Sequence, residues 1–346
     1  NGNGTFTQDI TNWTGLRDGA QGWSTAWGDI DNDGDMDAFV LNYDVNSTLM
    51  INNGSGVFTN MISGSGISNT TSFFGMNATF QDFDNDGFVD LMLTGDNHFL
   101  YRNNGNGTFS QVTPNPFSYS SNTITSHAIG DLNSDGFLDL YASYCDVYNS
   151  PNNNKNDRLW MNDCLNNGNT NNYIVFDLVG GAISGMSNKN GIGAIVKIYG
   201  PWGVQVREVR SGEGYGISNS FAVHFGLGAE TAIDSVIVQW PSGIVDQLLG
   251  LPADQHYTLN EGGNPLNVSA PASKPLVVNV IPNPINANNG FIKIDNYNSI
   301  GLENLALTIY DMSGKLIYNE NRLSTNVISL QDKNISEGMY FYELRT

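Results

Sequence analysis

The sequence predicts an all-β protein: partial β-propeller blades, then an antiparallel β-sandwich or barrel, then a smaller β-rich module. Three observations predict it. An acidic phrase recurs as GDIDNDGDMD from Gly28, DFDNDGFVD from Asp82 and DLNSDGFLD from Asp131, so that Asp29, Asp82 and Asp131 stand 53 and 49 residues apart. A second phrase recurs in step with it, as NGNGTF from Asn1, NNGSGVF from Asn52 and NNGNGTF from Asn103. Farther along, apolar and polar residues alternate between glycines, which is the period of half-buried strands.

Each of the first three units reads as an acidic loop, a strand such as DLMLTG, a variable loop, a strand such as HFLYR, and a Gly-Asn turn closing on a buried Phe. A repeat of about 50 residues built of short strands is a propeller blade, which cannot bury its faces alone. The blades are placed at 1–157. Propellers close with about four to eight blades, so three require further N-terminal blades or another chain. Residues 158–262 carry the alternating strands YIVFDLVG, AIVKIYG, VQVREVRSG, FAVHFGLG and DSVIVQWPSG and form the second domain. Residues 263–275 have linker composition. Residues 276–346 form the third module, with PLVVNVIPNP, FIKIDNY, LALTIYDMSGKLIYNE, NVISL and MYFYELRT as its strands.

Composition narrows the function classes. Lys plus Arg total 14 against 34 Asp plus Glu, for a net charge of −20, which repels nucleic acid and anionic membranes and attracts cations. No apolar run reaches the ~18 residues of a membrane span. The first residue is Asn, and the opening repeats a phrase found mid-chain, so the sequence is expected to begin inside a longer precursor. Cys145 and Cys164 are the two cysteines; in an extracellular setting a disulfide closing the Asn-rich segment between them is favoured over free thiols, and their spacing is not that of a metal knuckle.

The acidic loops follow the rule D-x-[DN]-x-D-G-x-x-D. Asp29, Asp31, Asp33 and Asp37, then Asp82, Asp84, Asp86 and Asp90, then Asp131, Asn133, Asp135 and Asp139 offer side-chain oxygens at positions one, three, five and nine. Asp35, Phe88 and Phe137 at position seven would add backbone carbonyls. Such an oxygen-rich set suits calcium, with its six to eight ligands, and Gly at position six permits the tight turn. Magnesium prefers strict octahedral geometry and retained waters. The bland alternative, solvated Asx-Gly turns, fits one acidic run better than three in register. About three calcium ions are therefore expected, in a supporting role, and chelation should loosen the blades.

Families resembling these modules cover most of the chain. The acidic loops with LYRNNGNGTF resemble the FG-GAP or VCBS repeats of integrin alpha propellers and bacterial surface proteins, and the resemblance implies calcium at the residues above. SNKNGIGAIVKIYG, REVRSGEGYGISNS, HFGLG and DSVIVQWPSG resemble the ASPIC/UnbV domain, which brings no established chemistry; Asn219 stands where that family often has Gln. VIPNP, IYDMSGKLIY and the Leu330 to Phe341 pattern resemble the type A C-terminal sorting domain of Bacteroidetes type IX secretion, a small β-sandwich, though the chain stops at Thr346, before the usual basic terminal strand. That resemblance implies export and attachment at the cell surface, with the secretion and attachment machinery as partner.

No catalytic residue is assigned. Four histidines, His98, His127, His224 and His256, occur without H-E-x-x-H, G-x-S-x-G or a phosphate-binding loop. His127 and His224 read as packing residues, and Glu213 and Tyr215 as residues outside any pocket. Trp13, Trp23, Trp27, Trp160, Trp202 and Trp240 read as core or blade-packing residues rather than sugar platforms. The expectation is a secreted, calcium-binding, non-catalytic protein for adhesion, binding of a protein or glycan ligand, or scaffolding. The alternatives are type IX cargo held by the secretion machinery and a secreted glycan-acting enzyme.

Overall fold

Strands account for the regular structure of the chain, because its apolar residues alternate or run continuously over five to eight positions and are broken by glycine. The computed structural model describes residues 14–17, 19–43, 45–68, 74–117, 123–146, 154–164, 167–181, 183–263, 266–267, 277–281, 291–295, 301–311, 315–330, 333, 335 and 340–345. Trp13, the phrase from Asn1, most of the 263–275 linker, the Pro-Asn-Pro of VIPNP and parts of the Leu330 to Phe341 pattern lie outside the described residues. Two compact units divide the chain, Asn1–Val268 and Ser269–Thr346.

The first unit begins with two four-stranded antiparallel meanders. The first blade is β1 (Gly22–Gly28), β2 (Asp37–Asn42), β3 (Thr48–Asn52) and β4 (Phe58–Asn60); the second is β5 (Gly75–Gln81), β6 (Asp90–Gly95), β7 (Phe99–Asn103) and β8 (Phe109–Gln111). The third blade has β9 (Thr123–Gly130), β10 (Asp139–Cys145) and β11 (Arg158–Trp160), in the order β11-β10-β9. A blade boundary at 157 is therefore corrected: β11 pairs with β10, so the third blade extends past it. The innermost strands β1, β5 and β9 lie side by side.

Blade stacking explains why β6 reads DLMLTG rather than an alternating pattern. Leu91 and Leu93 pack toward the first blade, with Phe39, Leu41, Leu49 and Ile30. Met92 packs the other way, with Ile129, Leu138, Leu140 and Phe83. Both faces are thus covered. The third blade differs. Its Leu132, Tyr141, Leu159 and Met161 stand at the positions of Ile30, Phe39, Leu49 and Ile51 in the first blade, yet they are 60, 45, 52 and 45 % exposed.

The rest of the first unit is a sandwich built from β12 (Asn172–Val179), β13 (Ile195–Gly200), β14 (Gly203–Glu208), β15 (Val223–Gly228), β16 (Ser235–Gln239), β17 (Val245–Leu249), β18 (Gln255–Asn260) and β19 (Leu266–Asn267). Its sheets run β15-β12-β18-β19 and β14-β13-β16-β17. Pairing is antiparallel except between β12 and β18, which are parallel because the whole second sheet lies between them in sequence. Phe176, Phe225 and Tyr257 of one sheet meet Val196, Ile198, Val236 and Val238 of the other. At the edge, the Glu261 carboxylate gathers the N–H groups of Gly181 and Ser187 and the hydroxyls of Ser187 and Ser242. Burial would raise its pKa, but these hydrogen bonds, the Ser242 hydroxyl first, outweigh it and lower the value to about 2.

The second unit is a smaller sandwich. One sheet is β20 (Val277–Ile281), β21 (Phe291–Asp295) and β24 (Val327–Ser329); the other is β23 (Leu316–Glu320), β22 (Ala306–Asp311) and β25 (Tyr340–Arg345). Ile292, Ile294 and Ile328 close on Leu307 and Ile309. Leu302–Asn304 form a single 3₁₀ turn.

The expected disulfide is not formed: Cys145 and Cys164 are not joined. Strand register is the reason. Antiparallel pairing runs β11 back toward the start of β10, and the Asn162 N–H reaches Asp139 at 2.8 Å, so Cys164 lies at that end. Cys145 ends β10 six residues away, roughly 20 Å at the rise of a strand. A disulfide needs Cα atoms within about 7 Å.

Two predictions follow from these cores. Leu49→Ala should cost about 2–4 kcal/mol in denaturant unfolding, whereas Leu159→Ala, at the equivalent place in the third blade, should stay within about 0.5 kcal/mol. Equal losses would mean that the third blade's outer face is covered in solution. Glu261→Gln should reduce the stability of the first unit at neutral pH. Because the folded pKa is depressed, the Glu261 contribution is present above about pH 4.5 and is lost as pH falls toward 2; a melt series over that range reads it.

Candidate metal centres

The three acidic loops fold alike because the same hydrogen bonds close each one. Position four lies in the left-handed region, at φ 58° for each of Asn32, Asn85 and Ser134, and the glycines at position six follow at 95°, 96° and 88°. A side chain with Cβ is strained there, and Asn is among the residues that tolerate it best. The carboxylate at position one accepts from the N–H at position six: Asp29 from Gly34 (3.3 Å), Asp82 from Gly87 (2.9 Å), Asp131 from Gly136 (2.9 Å). Position five accepts from position seven, as Asp33 from Asp35, Asp86 from Phe88 and Asp135 from Phe137. Position nine accepts twice: Asp37 from Ile30 and Asn52, Asp90 from Phe83 and Asn103, Asp139 from Leu132 and Asn162.

The folding of the first two loops brings carboxylates together. One oxygen each of Asp29, Asp31 and Asp37 lie within 4.8 Å of one another, and so do oxygens of Asp82, Asp84 and Asp86. Asp33 and Asp90 fall outside these tightest groups. In the third loop Asn133 turns its amide N–H toward Asp135 at 2.9 Å and accepts the Asp135 backbone N–H. Burial raises the carboxyls of Asp29 and Asp37 to about 7, and burial followed by the neighbouring Asp86 and Asp84 raises Asp82 to about 8. Asp90 is pushed well up by burial, then by Asp82, and Asp131 and Asp139 are raised by burial as well. Asp82 Oδ1 is buried with no hydrogen-bond partner among the described residues. A buried carboxylate oxygen without a donor, among other carboxylates, fits a hard cation.

The loops are also tied to one another. Asn32 donates to the Gly87 carbonyl (3.1 Å), and Asn85 donates to that of Gly136 (2.9 Å). From the third strands, Asn103 Nδ2 reaches Ile30 of the preceding loop (2.9 Å) and Asn162 Nδ2 reaches Phe83 (2.7 Å). Sequence reasoning took the recurring NNG phrase as a turn and missed this bridging. Asn52 and Asn103 carried the signal, since they open that phrase; Asn162 did not, because it opens NDCLNNG instead.

The sandwich rests on all three loops: on the first, Lys197 Nζ donates to the Gly34 carbonyl at 3.3 Å. His224 Nε2 lies 2.9 Å from the Gly136 carbonyl, which can only accept, so that nitrogen carries the proton. Gly228 donates to Asn85, and Asn169 and Asn171 donate to the Asp84 carbonyl. A Cβ at Gly226 would overlap Asp82 and Asn85, so glycine is required. The segment 210–220 crosses the innermost strands of all three blades: Arg210 donates to Trp27, Tyr215 to Asn77, and Ser220 and Asn219 bond Ile129. Arg207 is buried over the Phe225 ring and interacts with Asp82 and Asp29.

A cavity of about 60 Å³ opens beside Arg207, lined also by Trp27, Glu213, Asn219 and His224. Glu213 thus does line a pocket, against expectation, while Tyr215 is exposed outside it. Arg210 and Asn219 hold the Glu213 carboxylate. His127 is buried against the Thr79 hydroxyl, and burial lowers it to about 3; His224 is lowered by burial to about 4. Trp240 is buried and donates to Asp246; Trp160 donates to Tyr144; Trp23 packs on Tyr43 and Phe74; Trp202 packs against the sandwich core; Trp27 is 38 % exposed, edge-on to Phe58.

Comparison with known proteins agrees with this division. Residues 29–93 and 82–142 match the FG-GAP-like repeat, residues 184–265 match ASPIC and UnbV, and residues 279–346 match the secretion system C-terminal sorting domain. No curated protein matches the chain. Two solved structures of BBS1N in complex with ARL6DN, one soaked with mercury and one with lead, are similar at 11 and 12 % identity; they cover 87 and 93 % of this chain and 82 and 87 % of their own, with TM-scores of 0.25 and 0.26, too low to carry an argument. Among the described residues no helix is long and apolar enough to cross a membrane. The chain carries FG-GAP-like repeats, an ASPIC and UnbV segment and a type IX sorting domain, which marks it for the type IX secretion machinery and for export to the cell surface or extracellular space.

Proposed function

We propose that this is a calcium-binding, non-catalytic surface protein of a Bacteroidetes-type bacterium, whose blades serve adhesion, ligand binding or scaffolding. The observation that carries the reading is the convergence of carboxylates in the first and second loops, with Asp82 Oδ1 buried and without a donor, on a loop fold that the third repeats. Calcium would supply a divalent charge and room for six to eight oxygens. Asp29, Asp31 and Asp37 would hold it in the first loop, Asp82, Asp84 and Asp86 in the second, and Asp131, Asn133 and Asp135 in the third. A non-catalytic role is supported by the histidines His127 and His224, both committed to packing and hydrogen bonds, and by Glu213, which is held by Arg210 and Asn219.

Calorimetric titration of the full chain should find about three bound calcium ions. Each site should add about 2.7 kcal/mol of stability at a hundredfold excess over its Kd, and no uptake would return the loops to solvated turns. Asp82→Asn should invert sign: more stable than the parent chain in chelator, because a buried acid with one oxygen lacking a donor is removed, and less stable in calcium.

The pH dependence has a definite sign. Asp29, Asp37 and Asp82 titrate at about 7 to 8 when folded and near 3.8 otherwise. Between these values the folded, metal-free chain holds more protons than the unfolded one, so its stability falls as pH rises from about 4 through 8. Melts in chelator across pH 5–9 should show that decline, and saturating calcium should flatten it. A chelated chain that melts at the same temperature across the range would contradict the burial of these carboxyls.

A further inference from the structure

One residue beside the second loop, outside the loop itself, carries a charge that its counterparts in the other two blades lack. Arg102, on β7, stands where the first blade has Ile51 and the third has Met161, one residue before the bridging asparagine in each case. Its Nε lies 2.6 Å from Asp84 Oδ2 and its Nη2 lies 3.0 Å from Asp86 Oδ2, at positions three and five of the loop. The other oxygens of these carboxylates face inward: Asp84 Oδ1 accepts the Asp86 N–H and Asp86 Oδ1 accepts the Phe88 N–H. The guanidinium therefore sits on the two outward oxygens of a carboxylate pair that converges with Asp82.

We infer that Arg102 is a built-in cation that occupies the mouth of the second loop in the metal-free protein and competes with calcium there, making this site weaker than its own donor set would make it. The inference rests on the calcium reading of the loops. An arginine suits the part because its planar fork engages two carboxylates at once and cannot be deprotonated. Its side chain is half exposed, so it can swing into solvent when a dication enters. Entry costs the two ion pairs and brings a double charge near a single one, a repulsion that solvent at this exposure reduces without abolishing. The second loop is also the middle one: it receives the bond from Asn32, gives that from Asn85, and carries Asn169, Asn171 and Gly228 of the sandwich. A weakened site here fills at higher calcium than its donor set alone would need, and the sandwich contacts on this loop respond to its filling.

The test is calcium calorimetry on the full chain and on Arg102→Met, which installs the third blade's residue. One site of about three should tighten by about tenfold, with the others unchanged, and adding Asp84→Asn should remove the tightened site. Arg102→Lys, which keeps the charge and loses the fork, should fall between the two. An isotherm unchanged by Arg102→Met would reduce the contact to an exposed ion pair. Weaker binding would mean that Arg102 orders the loop for the metal, which also overturns the inference. In both failures calcium is still bound, whereas no uptake by either chain would remove the calcium reading itself and the inference with it.

Discussion

The structure of the first unit depends on keeping carboxylates buried where each blade turns into its second strand. Asp29, Asp37, Asp82, Asp90 and Asp139 are nearly inaccessible to solvent, and burial alone pushes their charged forms toward protonation. What surrounds them is a set of donors and cations. Backbone N–H groups reach positions one, five and nine; asparagines bridge one loop to the next; Arg102 and Arg207 bring charge. Remove that environment and several like charges are left a few ångströms apart in a medium that screens them poorly. The glycine at position six and the left-handed residue at position four exist so that these donors can point inward.

The sandwich is part of the same solution. Its HFGLG strand places a neutral imidazole on the Gly136 carbonyl, lets Gly226 pass over Asp82 and Asn85, and returns the Gly228 N–H to Asn85. The phrase therefore has a mechanical meaning: His to pair a loop carbonyl, Gly where the loop comes too close for a Cβ. Asn219 shows the same logic, since it links Glu213 to the Ile129 N–H of β9 at once. A Gln there would extend the amide by one methylene over the same gap. Loops, blades and sandwich share hydrogen bonds, so each acidic loop is held in part by its neighbours and by the strands resting on it.

Much of this was legible in the sequence because repeats expose themselves. The acidic phrase fixed the start of β2, β6 and β10, and period-two alternation found the sandwich strands. What stayed hidden was long-range. Nothing local distinguishes Asn162, in WMNDC, from a surface asparagine, yet it occupies the place of Asn103 and ties the third blade to Phe83. Arg158–Trp160 lie beyond the repeat's last recognisable phrase, so β11 was assigned to the wrong domain. Cys145 and Cys164 flank one polar segment and look ready to pair, and only the register of β10 with β11 shows that the strand itself separates them. Arg207, far along the chain, meets Asp29 and Asp82 through tertiary packing alone.

Position 51, 102 or 161 shows how a repeat can vary without losing its fold. In the first blade Ile51 packs partly buried at the rim of an inter-blade core. The third blade has Met161, 45 % exposed, on a face that carries Leu132, Tyr141 and Leu159 with it. A rim position tolerates both because it is never fully enclosed, and that is also why the second blade can hold arginine there, its guanidinium reaching Asp84 and Asp86 from a half-exposed side chain. The adjacent asparagine has no such freedom, since besides the backbone N–H that meets the position-nine carboxylate, the Nδ2 of Asn52, Asn103 and Asn162 donates to the position-eight carbonyls of Met36, Val89 and Leu138. One residue of the pair fixes the architecture; its neighbour is free to set the charge of an individual loop. Three loops of one design can therefore differ in the charge around them without any change in the blades that hold them.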